Sequence, residues 1–270
     1  MMKFGFIGIG NMGGALASAV CRAGNAADVA VADHDKKKTK IFADVYGATV
    51  ADNVTVASEC KYIFLGVKPQ MMEALLHEIS PTLRERRNDK FILVTMAAGL
   101  SVSTIEYLCD RAFPVIRIMP NTPASVGEGM ILMTSNEYVT AEELDEFAEA
   151  LSLAGKVEQI KEKYIDAASV ISGCGPAFMY LFLESLVKAG EKLGLDEEAA
   201  RLYAEQTMRG AATLAMSSNT SLEQLRINVC SPGGSTIEGV KVFQSSDLDD
   251  TVYRALEASY KRTKELAKGQ

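Results

Sequence analysis

Residues 3–7 read Lys-Phe-Gly-Phe-Ile, an apolar strand-like run that passes directly into Gly8-Ile9-Gly10-Asn11-Met12-Gly13 and then into a helical pattern over residues 11–22. No other stretch restricts the fold as much. The first glycine permits a tight turn, the second lets a backbone approach a pyrophosphate, and the third allows the helix to pack close to the strand. N–H groups at the helix start, aligned with its dipole, then favour phosphate. A glycine turn alone says little, so the context decides. Here the turn follows a strand, opens a helix, and is succeeded by Asp33 at the end of the next strand candidate, twenty positions after Gly13, where a carboxylate meets ribose hydroxyls. The expected ligand is a nicotinamide dinucleotide. Asp33 favours NADH, because it repels a 2′-phosphate. Lys36, Lys37 and Lys38 follow at once and offset part of that charge, so NADPH is expected to be usable.

The pattern then repeats and stops. Strand candidates at 28–32, 61–67, 90–95 and 115–119 alternate with helical stretches at 36–46 and 70–79. Strands that are apolar almost throughout predict a parallel sheet covered on both faces. A shorter pair at 129–133 and 156–159 flanks a helix opened by a capping box at Thr140 and Glu143. From about residue 161 the strand signals end, and 164–171, 177–193, 197–217, 222–228, 237–244 and 249–268 all read as helices. Asp196 and Thr220 are the expected N-caps, with Glu223 completing a second box. The fold class is therefore an α/β Rossmann-type dinucleotide-binding domain over residues 1–160, followed by an all-helical substrate and dimerisation domain over 161–270. The helix at 177–193 is apolar around most of its circumference (Phe178, Met179, Leu181, Phe182, Leu183, Leu186, Val187) and must be buried on nearly all sides. That predicts a homodimer interface.

The formal net charge of −7 makes nucleic acid and anionic membranes poor partners. Five cysteines, Cys21, Cys60, Cys109, Cys174 and Cys230, lack a CxxC pair or a histidine at ligand spacing, which argues against a disulfide framework or a metal site. No run approaches the ~18 apolar residues of a membrane span, and the first residues enter a strand rather than a leader. These readings place the chain in the cytoplasm with a small-molecule substrate.

Three loops fall at carboxyl ends of strands, where open α/β sheets bind ligands: Gly66-Val67-Lys68-Pro69-Gln70, Ala97-Ala98-Gly99, and Arg117-Ile118-Met119-Pro120-Asn121-Thr122-Pro123. In the helical part, Ser231-Pro232-Gly233-Gly234-Ser235-Thr236 places Ser231 as an N-cap, Pro232 at the first helical position, and two glycines that leave N–H groups uncovered. Such a turn suits an anion as small as a carboxylate, or is merely a capped helix start.

Together these segments resemble the pyrroline-5-carboxylate reductase family over essentially the whole chain. The resemblance is most specific in Leu225-x-x-x-Val229-Cys230-Ser231-Pro232-Gly233-Gly234-Ser235-Thr236, with Val67-Lys68-Pro69, Ala97-Ala98-Gly99 and Asn121-Thr122-Pro123 as further landmarks. It implies NAD(P)H-dependent reduction of 1-pyrroline-5-carboxylate to L-proline, the last step of proline biosynthesis. It implies cofactor contacts from Gly8, Ile9, Gly10, Asn11, Met12, Asp33, Asn53, Gly66, Val67, Lys68 and Ala98, and substrate contacts from Glu162, Asn228, Ser235 and Thr236. It further implies a dimer interlocked through the helical domain, commonly assembled into larger rings. Asp33 departs from the family, which often has Ser or Asn there.

The chain has two histidines, His34 and His77, both expected at the surface. Reducing a ketone builds alkoxide charge and calls for a positioned acid. Reducing a protonated imine neutralises a positive charge, so a hydroxyl on the ring nitrogen suffices. Thr236 is the candidate, with N–H groups of Gly234 to Thr236 on the substrate carboxylate. This requires the Gly8 turn and the Ser235 turn to face a common cleft, within one subunit or across two. Glu162 could equally be a surface acid in Lys161-Glu162-Lys163. Two rivals remain. A β-hydroxyacid dehydrogenase would need a lysine soon after Gly173-Cys174-Gly175, yet none precedes Lys188. A non-catalytic dinucleotide-binding redox sensor has no need of the Ser231–Thr236 turn.

Overall fold

A computed structural model of the chain describes residues 2–24, 26–86 and 90–268. The chain forms two compact units, Met1–Pro176 with Ser259–Gln270, and Ala177–Ala258.

The first unit is built on an eight-stranded sheet. Its strands are β1 (Met2–Ile7), β2 (Val29–Ala32), β3 (Thr49–Val50), β4 (Cys60–Leu65), β5 (Ile92–Thr95), β6 (Val115–Met119), β7 (Gly129–Ser135) and β8 (Gly155–Gln159). Their order is β3-β2-β1-β4-β5-β6-β7-β8. Every pairing is parallel except β6 with β7. The chain winds outward from β1 to β3, then crosses back to lay β4 on β1's other side. That reversal at β1 is the point where sheets of this kind open a ligand crevice.

The helices of this unit cover both faces. On one lie α1 (Asn11–Ala23), α2 (Lys36–Tyr46) and α6 (Ala141–Ala150), which bury Leu16, Val20, Leu144 and Phe147 against Phe4, Phe6, Tyr62 and Phe64. The aromatic rings stack across β1 and β4, with Phe6 and Phe64 centroids 4.1 Å apart. On the other face α3 (Asn53–Glu59), α4 (Met72–Glu85) and α5 (Val102–Leu108) pack on Ile7, Ile63, Leu65 and Leu93. The predicted capping box is present: Thr140 accepts from the Glu143 N–H while the Glu143 carboxylate accepts from the Thr140 N–H.

Several expectations need correction. The helix expected at 70–79 begins with a 3-10 turn, Pro69–Met71, and α4 then continues through Pro81 to Glu85. Pro81 lies on the exposed side, and its missing hydrogen bond falls on the solvent face beside His77, while Leu83 extends the buried stripe of Leu76 and Ile79. The short elements β3, α3 and α5 were not anticipated. In the C-terminal half, Ser221 rather than Thr220 caps α10 (Leu222–Asn228), accepting from the Gln224 N–H. The Thr220 N–H instead donates to Ser218, so Glu223 completes no box.

The division at Pro176 falls later than the end of the strand signals near residue 160. α7 (Glu162–Ser172) packs on β7, and Lys264, near the end of α12 (Leu248–Lys268), pairs with Asp166. Both therefore belong with the sheet.

Glu146 on α6 ties the amino-terminal ends of β1 and β4 together. It pairs with Lys3 at 2.9 Å, accepts from the Tyr62 hydroxyl at 2.6 Å, and pairs with Lys61. Burial alone would raise its pKa, but the hydrogen bonds from Lys61, Tyr62 and Lys3 outweigh it and hold the carboxyl at about 2. The folded value lies below the unfolded one, so the unfolded chain binds the extra proton. Stability from this group is complete above the ordinary carboxylate value and is lost as pH falls towards 2. Urea midpoints measured from pH 5 downward should therefore fall less steeply in Glu146→Gln than in the parent; parallel curves would contradict the assignment.

The second unit holds most of α8 (Gly175–Lys192), α9 (Glu197–Ser217), α10, α11 (Ser235–Ser245) and the first half of α12. Asp196 caps α9 as expected. Among its described residues only Ala200 and Ala204 are buried, whereas Leu181, Phe182, Leu202, Tyr203 and Val242 are exposed. The expectation that the residue 177–193 helix is buried on nearly all sides is not met within a single chain. The absence of any sufficiently apolar long stretch is corrected too. Glu162–Lys192, spanning α7 and α8, is long and apolar enough to cross a membrane by length and composition, although a turn at Gly173 and Cys174 separates the two helices.

Candidate functional site

The carboxyl ends of β1 and β4 meet through glycine backbones. The Gly8 N–H continues the sheet ladder by donating to the Ala32 carbonyl at 2.8 Å, and the Gly66 N–H donates to the Ile7 carbonyl at 2.7 Å. Gly8 has φ +93°, and a Cβ on it would lie 2.7 Å from the Gly66 carbonyl oxygen. Gly8 is therefore required twice over, by backbone sign and by space. A Cβ on Gly13 would run into the Gly8 carbonyl, which is how α1 comes to start against its own strand. Gly10, the N-cap of α1, differs: nothing lies within 4 Å of the place its Cβ would take. An exposed backbone at the head of a helix, with empty space where a side chain would be, fits a pyrophosphate. The residues present therefore suit a dinucleotide.

The other expected cofactor residues border this turn or stand at neighbouring strand ends. Ile9 is buried, Gly10 and Asn11 are exposed, and Met12 is half-buried. Asp33 follows β2, and its Oδ2 accepts the Ile9 N–H at 2.9 Å. Val67 is half-buried and Lys68 exposed, just after β4; Ala98 is exposed in the turn after β5, next to Gly99 with φ +81°. Asn53 opens α3, and its Nδ2 donates to Glu78 at 2.9 Å. His34 and His77 are both exposed.

Glu162 is more than a surface acid. At the first position of α7, its Oε1 accepts the Val102 N–H at the start of α5 and lies 3.3 Å from Arg117 Nη1. Arg117, 4% exposed inside β6, also reaches Asp166 at 2.8 Å, and Asp166 in turn meets Lys264 at 2.8 Å. Burial works against the Asp166 charge, but hydrogen bonds from Lys264 and Arg117 more than compensate and lower its pKa. This network was not foreseen. The available signal was a charged residue in the middle of an otherwise apolar strand, which has to be paired to be buried. Asn121 has a similar part: its Oδ1 accepts from Met130 and its Nδ2 donates to the Ser172 carbonyl, tying the loop after β6 to the end of α7.

In the second unit the anion turn takes a form different from the one expected. Ser231 and Pro232 precede the helix instead of starting it. The Gly234 N–H donates to the Ser231 carbonyl at 3.0 Å, Gly233 is left-handed with φ +72°, and Gly234 is the N-cap of α11. The Gly234 N–H is thus already engaged. The donors left facing outward at the head of the helix are those of Ser235, Thr236 and Ile237. Ser235 and Thr236 are exposed, as is Asn228 at the end of α10, where its side-chain oxygen accepts from Gln224.

Residues 162–266 match the family model for pyrroline-5-carboxylate reductase dimerisation, and residues 3–99 match that for NADP oxidoreductase, coenzyme F420-dependent. A pyrroline-5-carboxylate reductase of Corynebacterium melassecola is 35% identical over 99% of this chain and 100% of its own. One from Pseudomonas aeruginosa is 34% identical, covering 98% and 97%. Among solved structures, the Coxiella burnetii enzyme superposes with a TM-score of 0.92 at 32% identity, covering 98% of each chain. The Plasmodium falciparum enzyme, solved with NADP bound, does so at 0.86 and 32%, again covering 98% of each. A 3-hydroxyisobutyrate dehydrogenase from Mycobacterium tuberculosis, at 15% identity and a TM-score of 0.52 over 73% of this chain and 67% of that one, shares the fold alone. The chain belongs to the pyrroline-5-carboxylate reductase family.

Proposed function

We propose that the chain reduces 1-pyrroline-5-carboxylate to L-proline at the expense of NADH or NADPH, closing proline biosynthesis. When bound, the reduced nicotinamide supplies the hydride; the protein's part is to bind, orient and manage one proton. Gly8, Ile9, Gly10, Asn11 and Met12 receive the pyrophosphate at the head of α1. Asp33 and Asn53 attend the ribose end, and Gly66, Val67, Lys68 and Ala98 line the remainder. Ser235 and Thr236 offer N–H groups to the substrate carboxylate, with Gly234 shaping the turn, and Asn228 and Glu162 orient the ring. The single observation carrying this reading is the head of α11, where outward N–H groups of Ser235 and Thr236 lie next to the Thr236 hydroxyl.

The imine enters protonated, so reduction at carbon leaves a neutral amine and no oxyanion to stabilise. The Thr236 hydroxyl accepts a hydrogen bond from the iminium N–H and keeps the ring in register, an effect of orientation. Thr236→Ala should lower kcat about 100-fold with dinucleotide Kd unchanged, and Thr236→Ser should restore most of it. An unaltered kcat in the alanine variant would remove Thr236 from the reaction.

Residues 161–270 act in this reading as the substrate and dimerisation domain and residues 1–160 as the dinucleotide domain. The chain pairs with a second copy through its helical part, and such dimers can assemble into larger rings. The thiols of Cys21, Cys60 and Cys109, all unpaired and buried, support a reducing, cytoplasmic setting.

A further inference from the structure

Asp33 follows β2 directly and is 8% exposed. Its two carboxylate oxygens are committed to different partners. Oδ2 accepts the Ile9 N–H of the glycine turn at 2.9 Å, and Oδ1 accepts the Asp35 N–H at 2.9 Å and lies 2.9 Å from His34 Nδ1. Backbone amides on both sides hold the group in place at the strand's carboxyl end. It cannot turn away from a ligand there without breaking the bond that shapes the glycine turn. The nearest source of compensating N–H groups is the head of α2, and that is answered already: Asp35 accepts from the Lys37 N–H at 3.0 Å and the Lys38 N–H at 3.4 Å. The cations remaining nearby, Lys36, Lys37 and Lys38, are exposed, where water and salt screen them.

We propose that Asp33 is a specificity-determining residue that makes this chain prefer NADH to NADPH by excluding a 2′-phosphate. The proposal rests on the dinucleotide reading given above and sharpens it. A ribose 2′-hydroxyl can donate a hydrogen bond to the remaining lone pairs of a fixed carboxylate. A 2′-phosphate offers only acceptors and a second negative charge, and a carboxylate pinned by two backbone amides has no low-cost way to withdraw. A surface aspartate with a free side chain would rotate outward and discriminate less.

Titrating the full-length protein with ADP-ribose and with 2′-phospho-ADP-ribose isolates this end of the cofactor. The unphosphorylated fragment should bind about tenfold tighter or more. That ratio should shrink as salt is raised, because repulsion is what salt screens. If Lys36, Lys37 and Lys38 instead recruited the phosphate, the phosphorylated fragment would bind as tightly or tighter at low salt and weaken selectively with salt, which overturns the proposal. Asp33→Asn retains an oxygen for the Ile9 N–H and removes the charge, so it should bring the ratio to about one; a ratio unmoved by that change also overturns it. Should the variant not fold, the parent's ratio and its salt dependence still decide. Failure of both NADH and NADPH to bind the parent would be a different result, one that removes the dinucleotide site itself.

Discussion

Gly10→Ala and Gly13→Ala should each weaken dinucleotide binding about 100-fold, the scale expected when a bound group is displaced by an ångström, yet Gly13→Ala should cost more stability. At Gly13 a new methyl group would run into the Gly8 carbonyl, so either α1 moves away from β1 or the turn opens. An overpacked site of this kind costs about 1–3 kcal/mol. At Gly10 the methyl group meets nothing within 4 Å, so folding proceeds, with only the roughly 0.5–1 kcal/mol that separates alanine from glycine at an N-cap. What the methyl group fills is the space through which a pyrophosphate approaches the backbone. Quenching of intrinsic fluorescence by NADH gives the affinity, and urea melts give the stability. Equal affinity in parent and Gly10→Ala would show that the ligand does not come this close.

The contrast between those two glycines also marks how far the sequence could be read. Strand, turn and helix at the amino terminus were legible because each glycine had a separate mechanical task and the next strand ended in Asp33. The long helices were legible because their periodicity runs over several turns; α2 and α9 begin and end where the pattern does, while the seven-residue α10 was marked only by the polar start around Thr220 and Glu223. The two-turn helices α3 and α5 escaped notice, since seven residues show no period. Their stability comes from caps, Asp52 accepting the Thr55 N–H and Ser101 accepting the Thr104 N–H, and from packing on the sheet. The head of α11 was located but misplaced by three residues. Ser-Pro is a good helix start by local rules, and only the left-handed Gly233 reveals that the chain turns first. Arg117 went unassigned because its partners Glu162 and Asp166 lie more than forty residues away, and no local pattern announces such a meeting.

Leu181→Asp should convert the assembled protein into single chains and abolish turnover, although Leu181 is 63% exposed in one chain and touches no substrate-binding residue in the reading above. The reason lies in the hydrophobic balance of the second unit. With Ala200 and Ala204 its only buried residues among those described, the unit has almost no interior, and Met179, Leu181, Leu186, Leu202 and Leu214 all face outward. Helices with this much apolar surface are not stable in water unless another surface covers them. The dimerisation family that spans residues 162–266 supplies the natural cover, a second copy of the same helices. Burying one leucine is worth about 1.5–3 kcal/mol, and twofold symmetry counts each contact twice. An aspartate in its place forfeits that and leaves a desolvated charge, so the dimer Kd should rise at least about 1,000-fold. Sedimentation velocity reads the mass. The melting temperature of the parent, but not of the variant, should climb with protein concentration. A variant that kept its dimeric mass would place the interface on another face.

The two units have complementary duties in this account: a sheet whose open glycine backbone receives a dinucleotide, and a helix head whose N–H groups receive a small carboxylate. The most direct test is to add 1-pyrroline-5-carboxylate to the purified protein with NADH and follow the near-ultraviolet absorbance of the reduced nicotinamide, with proline assayed in parallel. The account predicts a decline in absorbance matched mole for mole by proline formed. Tight NADH binding with no decline, and no proline, would contradict it.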